Sequence, residues 1–124
     1  MFSDCSFVAI NNMAKKEAVI KLTQEEFPSV INDKKTPLVI VDFFAEWCMP
    51  CVKMGPVFER LAGKYSKVKF CKVNVDEANN LANEYAVSSI PCIIFFKEGE
   101  EVDRIVGSAS DFLLEEKISD YLKL

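Results

Sequence analysis

The chain reads as an α/β protein built on a central mixed β-sheet, a parallel half plus a C-terminal hairpin, with helices on both faces. Three observations predict this. The runs 39–44 and 91–96 are apolar, β-branched and aromatic almost throughout, as strands buried on both faces are. Strand-like and helix-like segments follow in the order β-α-β-α-β-α-β-β-α, which favours parallel pairing in the first part of the sheet. The last two strands are joined by the charged stretch Lys97-Glu98-Gly99-Glu100-Glu101, a solvated turn tight enough for a hairpin.

Residues 1–14 show no periodicity and read as a loose extension; Met13-Ala14-Lys15-Lys16 would itself serve as a start. The domain proper is expected over 15–124. Ala18-Val19-Ile20-Lys21-Leu22 makes a short first strand, and Thr23-Gln24-Glu25-Glu26 is a capping box in which threonine and glutamate satisfy each other's amides. Phe27, Val30 and Ile31 give the following helix its buried stripe. The central strand begins after Pro37 and ends at Ala45-Glu46-Trp47. A long helix then runs to about Tyr65, with apolar residues at 54, 58, 61 and 65, and Pro56 must kink it because proline lacks an N–H and crowds the preceding turn. A partly alternating strand over 68–75, a short helix over 77–85 and a final helix from Ser110 burying Leu114, Ile118, Tyr121 and Leu122 complete the order.

At 124 residues there is room for one compact domain. The net charge of −4 argues against nucleic acid as a partner, since phosphate binding needs a basic surface. No apolar run approaches the ~20 residues of a membrane span, and the first ten residues lack a basic region and carry Asp4, unlike a cleaved secretory signal. Histidine is absent, which removes imidazole acid–base chemistry and ordinary His-containing metal sites. Five cysteines, Cys5, Cys48, Cys51, Cys71 and Cys92, are an odd and irregularly spaced set, unlike a secreted disulfide framework, so a reducing compartment, the cytoplasm, is expected.

Only Cys48 and Cys51 form a motif. They sit where a buried strand hands over to a helix, with Cys48 at or just before the first turn. Unpaired amides and the positive end of the helix dipole favour a thiolate there. The blander reading of C-x-x-C is half of a zinc site, but such a site needs about four ligands and no second pair or histidine exists. The stretch is suited to thiol–disulfide exchange. Asp42 interrupts the apolar run just upstream. A buried, unpaired carboxylate is costly, so desolvation should raise its pKa; the alternatives are a bulge pointing it to solvent or simple pairing with Lys72.

Phe43-Phe44-Ala45-Glu46-Trp47-Cys48-Met49-Pro50-Cys51 resembles the active-site motif of the thioredoxin family, W-C-x-P-C after a buried strand. Asp42, Pro56, Ile90-Pro91 and Val106-Gly107 match further family positions at the right spacing, so the resemblance covers about Ala18 to Leu124. It implies the thioredoxin fold and protein-disulfide reduction with no bound cofactor, the working group being a reversible Cys48–Cys51 disulfide. Cys48, exposed at the helix start, would be the nucleophile, and Cys51, shielded one turn in, would resolve the mixed disulfide. Asp42 would accept a proton from Cys51, with Lys72 tempering its pKa. A cis Ile90–Pro91 bond would lay that loop beside Cys48, although proline at a strand start is otherwise ordinary and usually trans. Trp47, Met49, Pro50, Ile90, Pro91 and Gly107 would form the substrate face, with core packing the other reading of Trp47. Partners implied are disulfide-containing proteins and a thioredoxin reductase of the flavin/NADPH type, the chain acting as a monomer in cell redox homeostasis and electron transport.

Two positions depart from the family pattern. Met49 stands where glycine is familiar and puts a flexible apolar side chain beside Cys48. Cys92 stands where threonine is common. By strand alternation residues 90 and 92 should share one face and Pro91 the other, which makes Cys92 a filler behind the site rather than a third redox partner. Cys71 reads as structural and Cys5 as incidental. Two other functions share this fold: a disulfide oxidase or isomerase, and a partner-binding module that uses Trp47 and the Ile90-Pro91 loop.

Overall fold

The computed structural model describes residues 18–123. The expected extension at 1–14 and Cys5 lie outside them. Nine elements follow in the predicted order: β1 (Val19–Lys21), α1 (Phe27–Ile31), β2 (Leu38–Phe44), α2 (Met49–Lys64), β3 (Val68–Asn74), α3 (Asn79–Glu84), β4 (Cys92–Lys97), β5 (Glu100–Val106) and α4 (Asp111–Leu122). The five strands form one sheet in the order β1-β3-β2-β4-β5. β1, β3 and β2 pair in parallel, and β4 and β5 add the antiparallel half.

β2 is central, and every residue from Leu38 to Phe43 is buried. Alternation along it sends side chains into two cores. Leu38 and Ile40 join Met54, Phe58 and Leu61 of α2 and Leu114 and Ile118 of α4. Val39, Val41 and Phe43 join Phe27 and Ile31 of α1, Leu81 of α3 and Cys92, Ile94 and Phe96 of β4. Helices therefore cover both faces, which is why β2 and β4 could be so uniformly apolar. Tyr121 and Leu122, expected inside, are half-buried at the rim.

The capping box forms as read: the Thr23 amide donates to Glu26 Oε1 at 3.0 Å and the Glu26 amide to Thr23 Oγ1 at 3.2 Å. Pro56 lies inside α2 and so takes the amide away from the Val52 carbonyl. The hairpin is tighter than the charge pattern suggested. Glu98 and Gly99 both take positive φ, as a two-residue primed turn requires, and Lys97 pairs directly with Glu100. Glu100 and Glu101 are consequently strand residues rather than turn, and Glu101 binds the Arg104 guanidinium through both oxygens. A Cβ on Gly99 would overlap Asn32 Oδ1. β5 thus gains its first two residues because glycine permits the turn to close early.

Candidate active site

β2 delivers the chain to the top of the sheet, and α2 starts at once. Cys48 is the N-cap of α2: its backbone is extended and its Sγ accepts the Cys51 amide at 3.3 Å. Pro50 occupies the first turn, where its missing N–H costs nothing. Cys48 and Cys51 are joined by a disulfide with their Cα atoms 5.3 Å apart. Cys48 is not the exposed residue that the motif suggested. In the oxidised pair it is 4% exposed and Cys51 5%, because Ala45, Phe44, Val75 and Ile90 close around both sulfurs. What distinguishes Cys48 is its place at the helix terminus, where amide donors point at its sulfur.

The Ile90–Pro91 peptide is cis, and the Ile90 carbonyl oxygen lies 3.8 Å from Cys48 Sγ. Ile90 packs against the two cysteines. Alternation had placed it on the Cys92 side of the sheet, but β4 begins only at Cys92, so Ile90 belongs to a loop and no pleat governs it. The Pro91 carbonyl accepts the Gly107 amide at 2.8 Å, with Gly107 at φ +96°. That bond ties the loop to the end of β5. Exposed Trp47, Met49 and Val106 lie on segments adjoining the disulfide.

Trp47 is 70% exposed, which rules out core packing, and its Nε1 donates to Asp76 Oδ2 at 2.9 Å. The Asp76 amide in turn donates to Asn74 Oδ1 at 2.8 Å, and Asn74 is buried. Asp76 and Asn74 were not singled out from the sequence, because the contact spans 29 residues and no local pattern announces it.

Asp42 is 5% exposed, and Oδ1 meets no hydrogen-bond partner. Lys72 stands opposite it in the β2–β3 register. Desolvation raises the Asp42 pKa to about 7, with the Lys72 charge pulling the other way. Asp42 and Cys51 line a common cavity of about 220 Å³. Cys92 is 1% exposed, unpaired and in the core on the other side of the sheet. Burial pushes its thiol upward against the lowering effect of Arg104. Cys71 is likewise buried and pushed up to about 12 by desolvation. Among the described residues, no group of three or more acidic, cysteine or histidine side chains could hold a metal, and no helix is long and apolar enough to cross a membrane.

A dithiol capped on a helix N-terminus, with a buried acid behind it and a loop carbonyl in front, defines a thiol–disulfide oxidoreductase. The thioredoxin family profile matches residues 18–120. The chain belongs to the thioredoxin family. It is 50% identical over 86 residues to thioredoxin of Chlamydia caviae, spanning 69% of this chain and 81% of that protein. It is 37% identical to a chloroplastic M-type thioredoxin of Pisum sativum over 82% of this chain and 59% of that one. Among solved structures, Plasmodium falciparum thioredoxin superposes with a TM-score of 0.75 at 40% identity, covering 82% of this chain and 98% of that one. A Nicotiana alata thioredoxin gives 0.78 at 37%, covering 84% and 92%. The fold is therefore the thioredoxin fold, and the activity is protein-disulfide reduction.

Proposed function

We propose that Cys48 attacks the substrate disulfide, Cys51 resolves the complex and Asp42 accepts the Cys51 proton. The observation that carries this is the capped sulfur of Cys48, which accepts the Cys51 amide and faces the Ile90 carbonyl. The Cys48 thiolate displaces one substrate sulfur as a thiolate and forms a mixed disulfide. Cys51 then gives its proton to Asp42 and attacks Cys48 Sγ, and the second substrate sulfur leaves. Two electrons pass to the substrate, and the Cys48–Cys51 bridge closes. Lys72 holds the Asp42 pKa within reach of neutrality. Trp47, Met49, Pro50, Ile90, Pro91 and Gly107 form the face on which an extended substrate segment lies.

The same reading assigns an external thioredoxin reductase, of the flavin/NADPH type, as electron donor, no bound cofactor, a monomeric state and a role in electron transport and redox homeostasis in the cytoplasm. Free, buried Cys71 and Cys92 suit such a reducing compartment. Turbidimetric insulin reduction with dithiothreitol tests the activity: the parent should accelerate it and Cys48→Ser should not. A partner-binding module would show no difference between the two. A glutathione titration tests direction. The reference potential of thioredoxins is ~−270 mV, and a couple above about −200 mV would favour an oxidase or isomerase.

A further inference from the structure

The cavity beside Asp42 lies between one helix, α2, and the ends of two strands, β2 and β3. It runs from the buried carboxyl and Cys51 outward between Glu46, Val52, Gly55 and Lys72. Glu46 and Val52 are exposed and Gly55 and Lys72 half-buried, so one end is the most buried acid among the described residues and the other is surface. At about 220 Å³ it accommodates several waters at roughly 30 Å³ each. Its lining is mostly apolar, and Asp42, Glu46, Cys51 and Lys72 contribute the polar groups to which water can bond.

Gly55 follows Cys51 by one helical turn on α2 and so lies on the same stripe. A Cβ placed there meets nothing within 4 Å. Glycine is a weak helix former, and no positive φ or close packing demands it at this position. What its missing side chain leaves is open space in the cavity wall.

We propose that this cavity is a side passage through which Asp42 exchanges protons with solvent while a substrate covers the Cys48 face, and that Gly55 keeps the passage open. The inference rests on the reading of Asp42 as proton acceptor. With substrate over Cys48, Trp47 and the Ile90-Pro91 loop, the front of the site is closed to water. A proton taken from Cys51 can then leave past Glu46, Lys72 and Gly55. The charged and titratable groups facing Asp42 are Lys72 from β3, Cys51 from α2, Glu46 from the connecting loop and, through the sheet, Cys92 of β4. Among these only Lys72 is a cation, half-buried with its ammonium 5.6 Å from the centre of the Phe44 ring.

The test is single-turnover release of substrate from a preformed mixed disulfide, followed from pH 5.5 to 9. Gly55→Leu, and Gly55→Met as a second and more flexible plug, should slow release about 3- to 10-fold, part of the ~10²–10⁴ that acid–base catalysis supplies. They should also raise the pH midpoint, because a drier Asp42 is harder to ionise. Gly55→Ala should match the parent. On an Asp42→Asn background the plugs should have no further effect, since non-additivity is the mark of a shared step. If Asp42→Asn alone leaves release unchanged, the proton-acceptor reading fails. If Asp42→Asn slows release while a folded plug matches the parent in rate and midpoint, the passage alone is overturned. Equal slowing by the plugs with and without Asp42 would also overturn it, as a packing effect.

Discussion

Asp42 and Lys72 face each other across the parallel β2–β3 pair, yet the lysine ammonium sits 5.6 Å above the Phe44 ring and Asp42 Oδ1 has no partner. The two are thus a carboxyl and an ammonium side by side in register, with no hydrogen bond to Oδ1 joining them. Desolvation dominates the acid, and the lysine moderates it from one side. An unjoined acid can gain and lose a proton without breaking an ion pair, which suits a group that must do so at every turnover.

Stability should therefore depend on pH through Asp42. Its pKa in the folded chain is raised from 3.8 to about 7. A group that binds its proton more tightly when folded contributes stability below its unfolded pKa, and that contribution is lost as pH rises through the folded one. Unfolding free energy should fall between about pH 4 and pH 7 by up to roughly 4 kcal/mol. Asp42→Asn should flatten this slope and be the more stable protein at pH 8. Urea titrations at pH 4.5, 6 and 8 decide it, and a parent whose stability rises across that window would refute the buried-acid account.

Asp42→Asn and Asp42→Ala should slow resolution of the mixed disulfide more than its formation. The carboxyl shares a cavity with Cys51, whereas Cys48 faces the Ile90 carbonyl. Stopped-flow measurement of the two phases from pH 6 to 9 should show the second phase reduced by roughly tenfold or more and the first nearly unchanged. Equal turnover across that range would end the role proposed for Asp42.

The Trp47–Asp76 hydrogen bond gives a third expectation. Both residues are exposed, so Asp76→Ala should change stability by less than about 0.5 kcal/mol. It should instead release the indole, shift its fluorescence and raise KM for a protein disulfide severalfold with little change in kcat. A variant with altered fluorescence and an unchanged KM would remove Trp47 from the substrate face.

The sheet was legible in the sequence because two-sided burial writes itself as unbroken apolar runs, and Asp42 was conspicuous because it breaks one. Its place behind the cysteines was implied by the resemblance, and the structure supplies the reason: Leu38 and Ile40 pack toward α2, and position 42 shares their face. Four things were not legible. The resemblance had put Ile90 on the substrate face, but alternation assigned it the wrong side, because alternation stops where the strand stops. The burial of Cys48 escaped because Phe44, Val75 and Ile90 reach it from three separate segments. Asp76 and Gly55 escaped because one acts through a distant contact and the other through a side chain it lacks.

Cys92 closes the set. It neighbours the Ile90-Pro91 loop in sequence, and a third thiol that close to Cys48 and Cys51 would turn a two-thiol centre into three. The sheet decides against this. Cys92 pairs with Phe43 in the β2–β4 register and buries its side chain with Phe43, Ile94 and Phe96. Asp42 and the cysteine helix lie on the other face. Desolvation also holds the thiol protonated, which removes its nucleophilicity. Cys92→Ala should leave the reduction potential and insulin turnover unchanged. Its cost should appear in stability, of order 1 kcal/mol for a small buried side chain. Peptide mapping of the oxidised protein should recover the 48–51 bridge, and a substantial 48–92 or 51–92 species would show that the sheet does not separate the thiols.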